Sequence, residues 1–255
     1  MGTVLTTHDL SRAFGGVLAV NLVNLEVRDK MVQSIIGPNG AGKTTLINLI
    51  TGRLEATGGK VDYQGKNITN RSVHHRVKMG ISRTFQITSI FMGLSVWENV
   101  RIAVQSHLGG SLRILSSRPS LSQVNDKTEA ILKRVGLMKL AQRPANLLAH
   151  GDQRVLEVAI SLASDPQVLF LDEPAAGMSP AETDQASDLI ADLGREMAVV
   201  LVEHDMEVVM KISHHIIVLH QGGVIARGTP REIAANQEVK DAYLGGDDWA
   251  PLTNV

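Results

Sequence analysis

Apolar and polar positions along this chain follow two periods, and the switch between them divides it. Val4 to Leu10 and Val17 to Val27 alternate around Phe14-Gly15-Gly16, which predicts strands joined at a turn. Met31 to Ile36 is a short apolar run suited to a buried strand, and from Thr44 to Leu54 the residues Leu46, Ile47, Leu49 and Ile50 fall at helical spacing. Thr57-Gly58-Gly59 and Gln64-Gly65-Lys66-Asn67 punctuate two more short strands, Arg71 to Lys78 reads as a polar helix, and Ile81 to Gln86 as a short strand.

Helical texture follows. Ser95 to Leu108, Gln123 to Val135 and Val155 to Leu162 read as helices, with a Gly/Ser/Arg-rich link from Gly109 to Ser122. A helical block of about 75 residues inside a strand-and-helix chain predicts an inserted subdomain. Val168 to Leu171 and Ala198 to Val202 are then buried strands, and Ile216 to Leu219 with Val224 to Arg227 flank the hairpin signal Gln221-Gly222-Gly223. Ser179-Pro180-Ala181-Glu182 and Thr229-Pro230-Arg231-Glu232 each start a helix with a hydroxyl cap, a proline and a glutamate partner. Residues from Asp247 onward read as a frayed tail. The pattern predicts an α/β fold with core segments at 1–86 and 164–235, a helical insertion at 87–163, and a terminal helix and tail at 236–255.

Chemistry enters where these elements meet. Gly37-Pro38-Asn39-Gly40-Ala41-Gly42-Lys43-Thr44-Thr45 joins the Met31 strand to the Thr44 helix and fits the spacing of a phosphate-binding loop. Its glycines let backbone approach phosphate oxygens, the new helix offers unpaired N–H groups, Lys43 adds a positive charge, and the Thr44 hydroxyl can ligate Mg²⁺. The Val168 strand ends in Asp172 and Glu173. An acid at the carboxyl end of a core strand can hold Mg²⁺ through water, and a second can take the proton of an attacking water. His204 follows the Ala198 strand, where an imidazole can reach a terminal phosphate. Phe14 is either a stacking platform for a base or an ordinary core residue. His74 and His75 are adjacent, so they point to different faces of a helix and make a poor chelate.

Composition narrows the classes. The 255 residues are 44% hydrophobic, enough for one sizeable core, and a formal net charge of -1 argues against a nucleic-acid partner that needs a broad basic surface. With no cysteine in the sequence, disulfides, thiolate metal sites and thiol catalysis are excluded. The start Met1-Gly2-Thr3-Val4-Leu5 has no basic region leading into an apolar core, and no apolar run approaches membrane-spanning length, so secretion and membrane crossing are not expected.

Leu148-Ala149-His150-Gly151-Asp152-Gln153 stands just before the acidic strand, and with it the chain resembles the ATP-binding subunits of ABC transporters. Phe14, the phosphate loop, Gln86, this signature-like run, Asp172-Glu173 and His204 match the family's motifs in order. The resemblance implies a RecA-like P-loop core, an N-terminal antiparallel β-subdomain and an inserted helical subdomain. It also implies two cassettes that sandwich two ATP molecules, each held by the loop of one and the signature of the other. Glu173 is then the expected general base, Thr44, Gln86 and Asp172 the Mg²⁺ partners, His204 the γ-phosphate sensor, and Phe14 the base platform. Leu148, Ala149, His150, Gly151 and Asp152 would face the opposite nucleotide.

The implied setting is peripheral, on the cytoplasmic face of the inner membrane, with permease subunits, a second cassette (identical or a sister) and, indirectly, a periplasmic solute-binding protein. Ala149 replaces the usual serine, and His150 and Asp152 replace a glycine and a glutamine, so contact with phosphate is expected to be retuned. These departures, with Ser82-Arg83-Thr84-Phe85-Gln86, Glu173-Pro174-Ala175-Ala176-Gly177, Glu203-His204-Asp205-Met206 and Ala242-Tyr243-Leu244-Gly245, resemble the branch that imports branched-chain amino acids. Importers of urea, amides or aromatic acids and a lipopolysaccharide exporter use similar subunits. A soluble ABC-type ATPase, a small-molecule phosphotransferase and a non-hydrolysing regulatory module are the readings from other classes.

Overall fold

The computed structural model describes residues 2–84, 90–108 and 121–243. The Gly109–Ser120 part of the predicted link, the predicted tail and Gln86 lie outside them. Among the described residues the chain opens with β1 (Thr3–Phe14), β2 (Val17–Arg28), β3 (Val32–Ile36), α1 (Lys43–Thr51), β4 (Gly58–Tyr63) and β5 (Lys66–Asn67). Next come α2 (Val73–Lys78), β6 (Ile81–Arg83), α3 (Val96–Leu108), α4 (Leu121–Arg134) and α5 (His150–Leu162). β7 (Val168–Asp172), α6 (Pro180–Glu196), β8 (Ala198–Val202), α7 (Met206–Ile212), β9 (His215–His220), β10 (Gly223–Gly228), α8 (Pro230–Ala235) and α9 (Gln237–Tyr243) complete it.

Two sheets follow from this order. The strands β2-β1-β4-β5 pair antiparallel, and the second sheet runs β10-β9-β3-β8-β7-β6, parallel except for the closing β9–β10 hairpin. The first hairpin is longer than the alternation predicts. Register shifts interrupt it between Thr7 and Arg12, with Asp9 and Leu22 at positive φ, and these bulges break the period of two beyond Leu10 although pairing continues to Phe14.

Uninterrupted apolar runs suit the central strands because both faces are covered. Along β7, Val168 and Phe170 join one hydrophobic cluster while Leu169 and Leu171 join another, and β8 divides its side chains the same way. The Phe170 side packs on α1 and the antiparallel sheet; the Leu169 side packs on α3, α4, α5 and α6. Each fully buried Leu, Val or Phe there contributes roughly 1.5–3 kcal/mol. Both predicted cap–proline–glutamate starts are present as capping boxes, Ser179 with Glu182 and Thr229 with Glu232. The consequence for function is positional: β3, β8 and β7 are parallel neighbours, so their carboxyl ends emerge along one edge of the sheet.

Candidate functional site

The loop after β3 is shaped by its glycines. Gly42, the N-cap of α1, has φ +100, and a Cβ there would lie 2.2 Å from the Ala19 carbonyl oxygen. Only glycine fits both the left-handed backbone and the close approach of β2. The loop is braced from outside, since Gly222 N–H donates to Ala41 O at 3.0 Å and Asn21 N–H to Gly222 O at 2.8 Å. Thus the β9–β10 turn, legible in sequence only as a hairpin, also holds the loop's shape. Lys43 is buried and folds back over the loop, donating to Gly37 O at 2.6 Å and Pro38 O at 3.1 Å. Its ammonium is therefore held where the loop wraps.

Parallel register then brings two more chemical groups to this edge. Asp172 pairs with Val202 in the β7–β8 ladder, and Glu173 N–H donates to Val202 O at 2.8 Å, so the residues just past both strands meet. Glu173 Oε1 lies 2.9 Å from His204 Nε2. A cavity of about 220 Å³ is lined by Lys43, Thr44, Thr45, the loop backbone from Asn39, Ala19, Glu173 and His204. A cation, a hydroxyl, a carboxylate and an imidazole thus face one polar space. Glu173 reaches it with φ +49, a left-handed conformation that costs about 1 kcal/mol or more and that is typically retained where function demands it.

Glu203, to which the sequence alone assigns no role, fixes that geometry from below. Its buried carboxylate accepts from Ala175 N–H at 2.8 Å and His204 N–H at 3.1 Å, tying the loop after β7 to the end of β8. Burial pushes its pKa up, and the backbone donors pull the other way. Asp205 caps α7, accepting from Glu207 N–H at 2.9 Å, which fixes the backbone just beyond His204.

Asp172 is not on the cavity wall. Its side chain is fully buried, and Oδ2 accepts from Arg83 Nη2 at 2.6 Å while Oδ1 has no hydrogen-bond partner. A free carboxylate oxygen and the Thr44 hydroxyl are hard oxygen donors of the type Mg²⁺ takes, so the donor set fits that ion. Phe14 is 45% exposed, which removes the core alternative, and the Arg12 guanidinium carbon sits 4.7 Å from its ring centroid. His74 and His75 are exposed on α2.

The signature-like run sits elsewhere. Ala149 is the N-cap of α5 and has no polar side-chain atom with which to cap it, His150 and Gly151 form the first turn, and Leu148 is buried. A Cβ on Gly151 would lie 2.6 Å from Glu182 Oε1, so a carboxylate from the start of α6 rests against this helix end. Burial and the Glu182 charge raise the Asp152 pKa, partly offset by Arg143. None of residues 148–152 lines the loop cavity. A second cavity of about 360 Å³ opens between α2, β6, α3 and α5, with Val77, Ala103, Ile160 and buried Glu157 among its walls.

A parallel sheet with a glycine-rich loop wrapped before a helix, an acid pair at the end of the next strand but one and a histidine just past the strand between them defines a P-loop nucleoside triphosphatase. The ABC transporter family matches residues 20–176, and the family described as branched-chain amino acid ATP-binding cassette transporter matches 224–248. The chain belongs to the ABC transporter family and is one of its ATP-hydrolysing cassettes. It is 42% identical over 249 residues to the high-affinity branched-chain amino acid transport ATP-binding protein LivG of Salmonella typhimurium, covering 95% of this chain and 98% of that protein. Identity to the corresponding protein BraF of Pseudomonas aeruginosa is 43% over the same shares of the two chains. A nucleotide-free ATP-binding cassette from an ABC transporter superposes with a TM-score of 0.85 at 28% identity, covering 96% of this chain and all of that one.

Proposed function

We propose that the chain is the ATP-hydrolysing subunit of an importer of branched-chain amino acids, working on the inner face of the plasma membrane. The observation that carries the hydrolytic reading is the Glu173–His204 pair on the wall of the Lys43–Thr44 cavity. The cargo reading rests on likeness to LivG and BraF and on the family matched at 224–248.

In this reading the loop backbone from Gly37 to Thr45 and the Lys43 ammonium bind the β- and γ-phosphates, and Phe14 offers the open part of its ring to the base. Thr44, Asp172 and Gln86 hold Mg²⁺, which when bound neutralises phosphate charge. Glu173 takes the proton of the attacking water, and His204 orients Glu173 while reaching toward the γ-phosphate. Leu148 to Asp152 meet the nucleotide of a second cassette, through backbone N–H groups because Ala149 has no hydroxyl to offer. Separation of these residues from the cavity of their own cassette supports the two-cassette arrangement. Permease subunits and, through them, a solute-binding protein are the remaining partners.

The test is joint expression with the permease genes of the same organism, followed by leucine, isoleucine and valine uptake in an importer-deficient strain. Uptake that depends on Glu173 supports the proposal. ATP turnover without any restored uptake of these amino acids sinks the cargo reading and leaves the ATPase intact.

A further inference from the structure

We propose that Arg83 is the positioning residue that holds Asp172 ready for Mg²⁺; this rests on the reading of Asp172 as a metal partner. Arg83 ends β6, beside β7 in the sheet, and its side chain is 5% exposed while that of Asp172 is 0% exposed. The guanidinium reaches in two directions: Nη2 donates to Asp172 Oδ2 at 2.6 Å, and Nη1 donates to Asn48 Oδ1. Asn48 lies on α1, the helix that begins with Lys43 and Thr44. One planar cation therefore links the acidic strand to the helix that carries the loop's hydroxyl.

The unsatisfied atoms give this link a direction. Asp172 Oδ1 and Arg83 Nε are both buried and without a partner, whereas Oδ2 is held. Holding one oxygen restrains the carboxylate from turning and leaves the other, though buried, without a hydrogen-bond partner in the protein. Asp172 N–H also meets Thr84 Oγ1, at 3.4 Å, so the backbone at the strand end is tied to the residue next to Arg83. A buried carboxylate stripped of the guanidinium that holds Oδ2 would be free to rotate, and that removes a metal-ready oxygen. Groups that orient metal ligands without touching the metal typically change affinity by about ten- to a hundredfold when lost. An ion pair serving packing alone would alter folding and leave Mg²⁺ dependence unmoved.

The experiment measures binding of a fluorescent ATP analogue to the purified chain in EDTA and across a Mg²⁺ titration. Variants are Arg83→Met, Arg83→Lys, Asp172→Asn and the double variant Arg83→Met/Asp172→Asn. Wild type should bind more tightly as Mg²⁺ rises, and Asp172→Asn should lose that gain. Arg83→Met should move the Mg²⁺ midpoint up by about tenfold with EDTA affinity unchanged. Arg83→Lys, which keeps the charge but loses the fork to Asn48, should fall between, and the double variant should match Asp172→Asn alone. An Arg83→Met curve that overlays wild type, shifts to lower Mg²⁺, or weakens equally in EDTA overturns the proposal. Should Arg83→Met fail to fold, Arg83→Lys decides: a midpoint raised at least about threefold supports positioning, and an unchanged one overturns it. Full Mg²⁺ enhancement in Asp172→Asn instead removes the metal reading itself.

Discussion

Glu173 Oε1 and His204 Nε2 stand 2.9 Å apart although 31 positions separate them in the sequence. Their meeting follows from strand register: Asp172 is opposite Val202, so one step past that pair brings a carboxylate beside the segment leading to the imidazole. A slip of one residue in β7 would invert the faces of Leu169, Phe170 and Leu171, which are fully buried. Both faces of β7 are apolar, so the fit of these side chains into the two clusters holds the register, and the register places the dyad.

Glu173→Gln should reduce ATP turnover at least about a hundredfold, the usual scale for losing a general base. Gln keeps the size and can still pair with His204, and the loop with Lys43 is untouched, so ATP binding should remain. Phosphate release and equilibrium nucleotide binding, measured on the same preparation, check both halves. Turnover above about a tenth of wild type would exclude Glu173 as the base.

Gly42→Ala and Gly40→Ala separate backbone strain from collision. Gly40 has φ +81, and a Cβ added there meets nothing within 4 Å, so Ala carries only the left-handed penalty of about 1–2 kcal/mol. At Gly42 the Cβ would also strike Ala19 O at 2.2 Å, so the loop must move. The expected result is a further loss of about 2 kcal/mol in unfolding free energy and at least about tenfold weaker ATP binding in Gly42→Ala relative to Gly40→Ala. Denaturant unfolding and nucleotide titration of both variants provide the comparison.

What the sequence made legible is what repeats or has fixed spacing. The runs at β3, β7 and β8 are buried on both faces, the phosphate loop has a spacing tied to its conformation, and hydroxyl–proline–glutamate starts are local devices. Groups whose partners lie far along the sequence left no such trace. Glu203 reads like any acid at a strand end, Gly222 like any hairpin glycine, and Arg83 like a polar residue in a short strand. Arg76 is the sharpest case, for a helix that reads as polar hides one arginine that is 1% exposed. The Gln86 expectation lies outside the described residues.

Arg76→Met should destabilise the fold by about 3 kcal/mol, from unsatisfied buried carbonyls and a lost charge-assisted network. Its guanidinium donates to Leu49 O at 2.9 Å, to Ile50 O at 2.5 Å, to Arg71 O at 2.9 Å and to Thr69 O at 2.6 Å. Two of these acceptors are among the last carbonyls of α1, so the guanidinium caps the carboxyl end of the phosphate-loop helix. Burial pulls its pKa down to about 10, still charged at neutral pH. Urea unfolding gives the stability change, and a loss below about 1 kcal/mol would mean that water replaces the donors.

Glu157→Gln should make stability less dependent on pH. The Glu157 side chain is buried, Oε2 accepts from Arg154 Nη1 at 3.1 Å, and Oε1 has no partner. Burial raises its pKa above the ordinary 4.5, with Arg154 opposing. A raised carboxylate pKa means that the native protein holds the proton more tightly than the unfolded one. The stability from this group is therefore full below pH 4.5 and is lost as pH climbs through the raised native value. Gln is neutral throughout, so above that window the variant should exceed wild type by about 0.5–1 kcal/mol, allowing for screening by solvent in the cavity that Glu157 lines. Approaching pH 4.5 from above, the gap should close. Paired urea unfolding curves from acid to neutral pH measure it, and a gap that stays constant with pH would show that Glu157 titrates alike in the folded and unfolded protein.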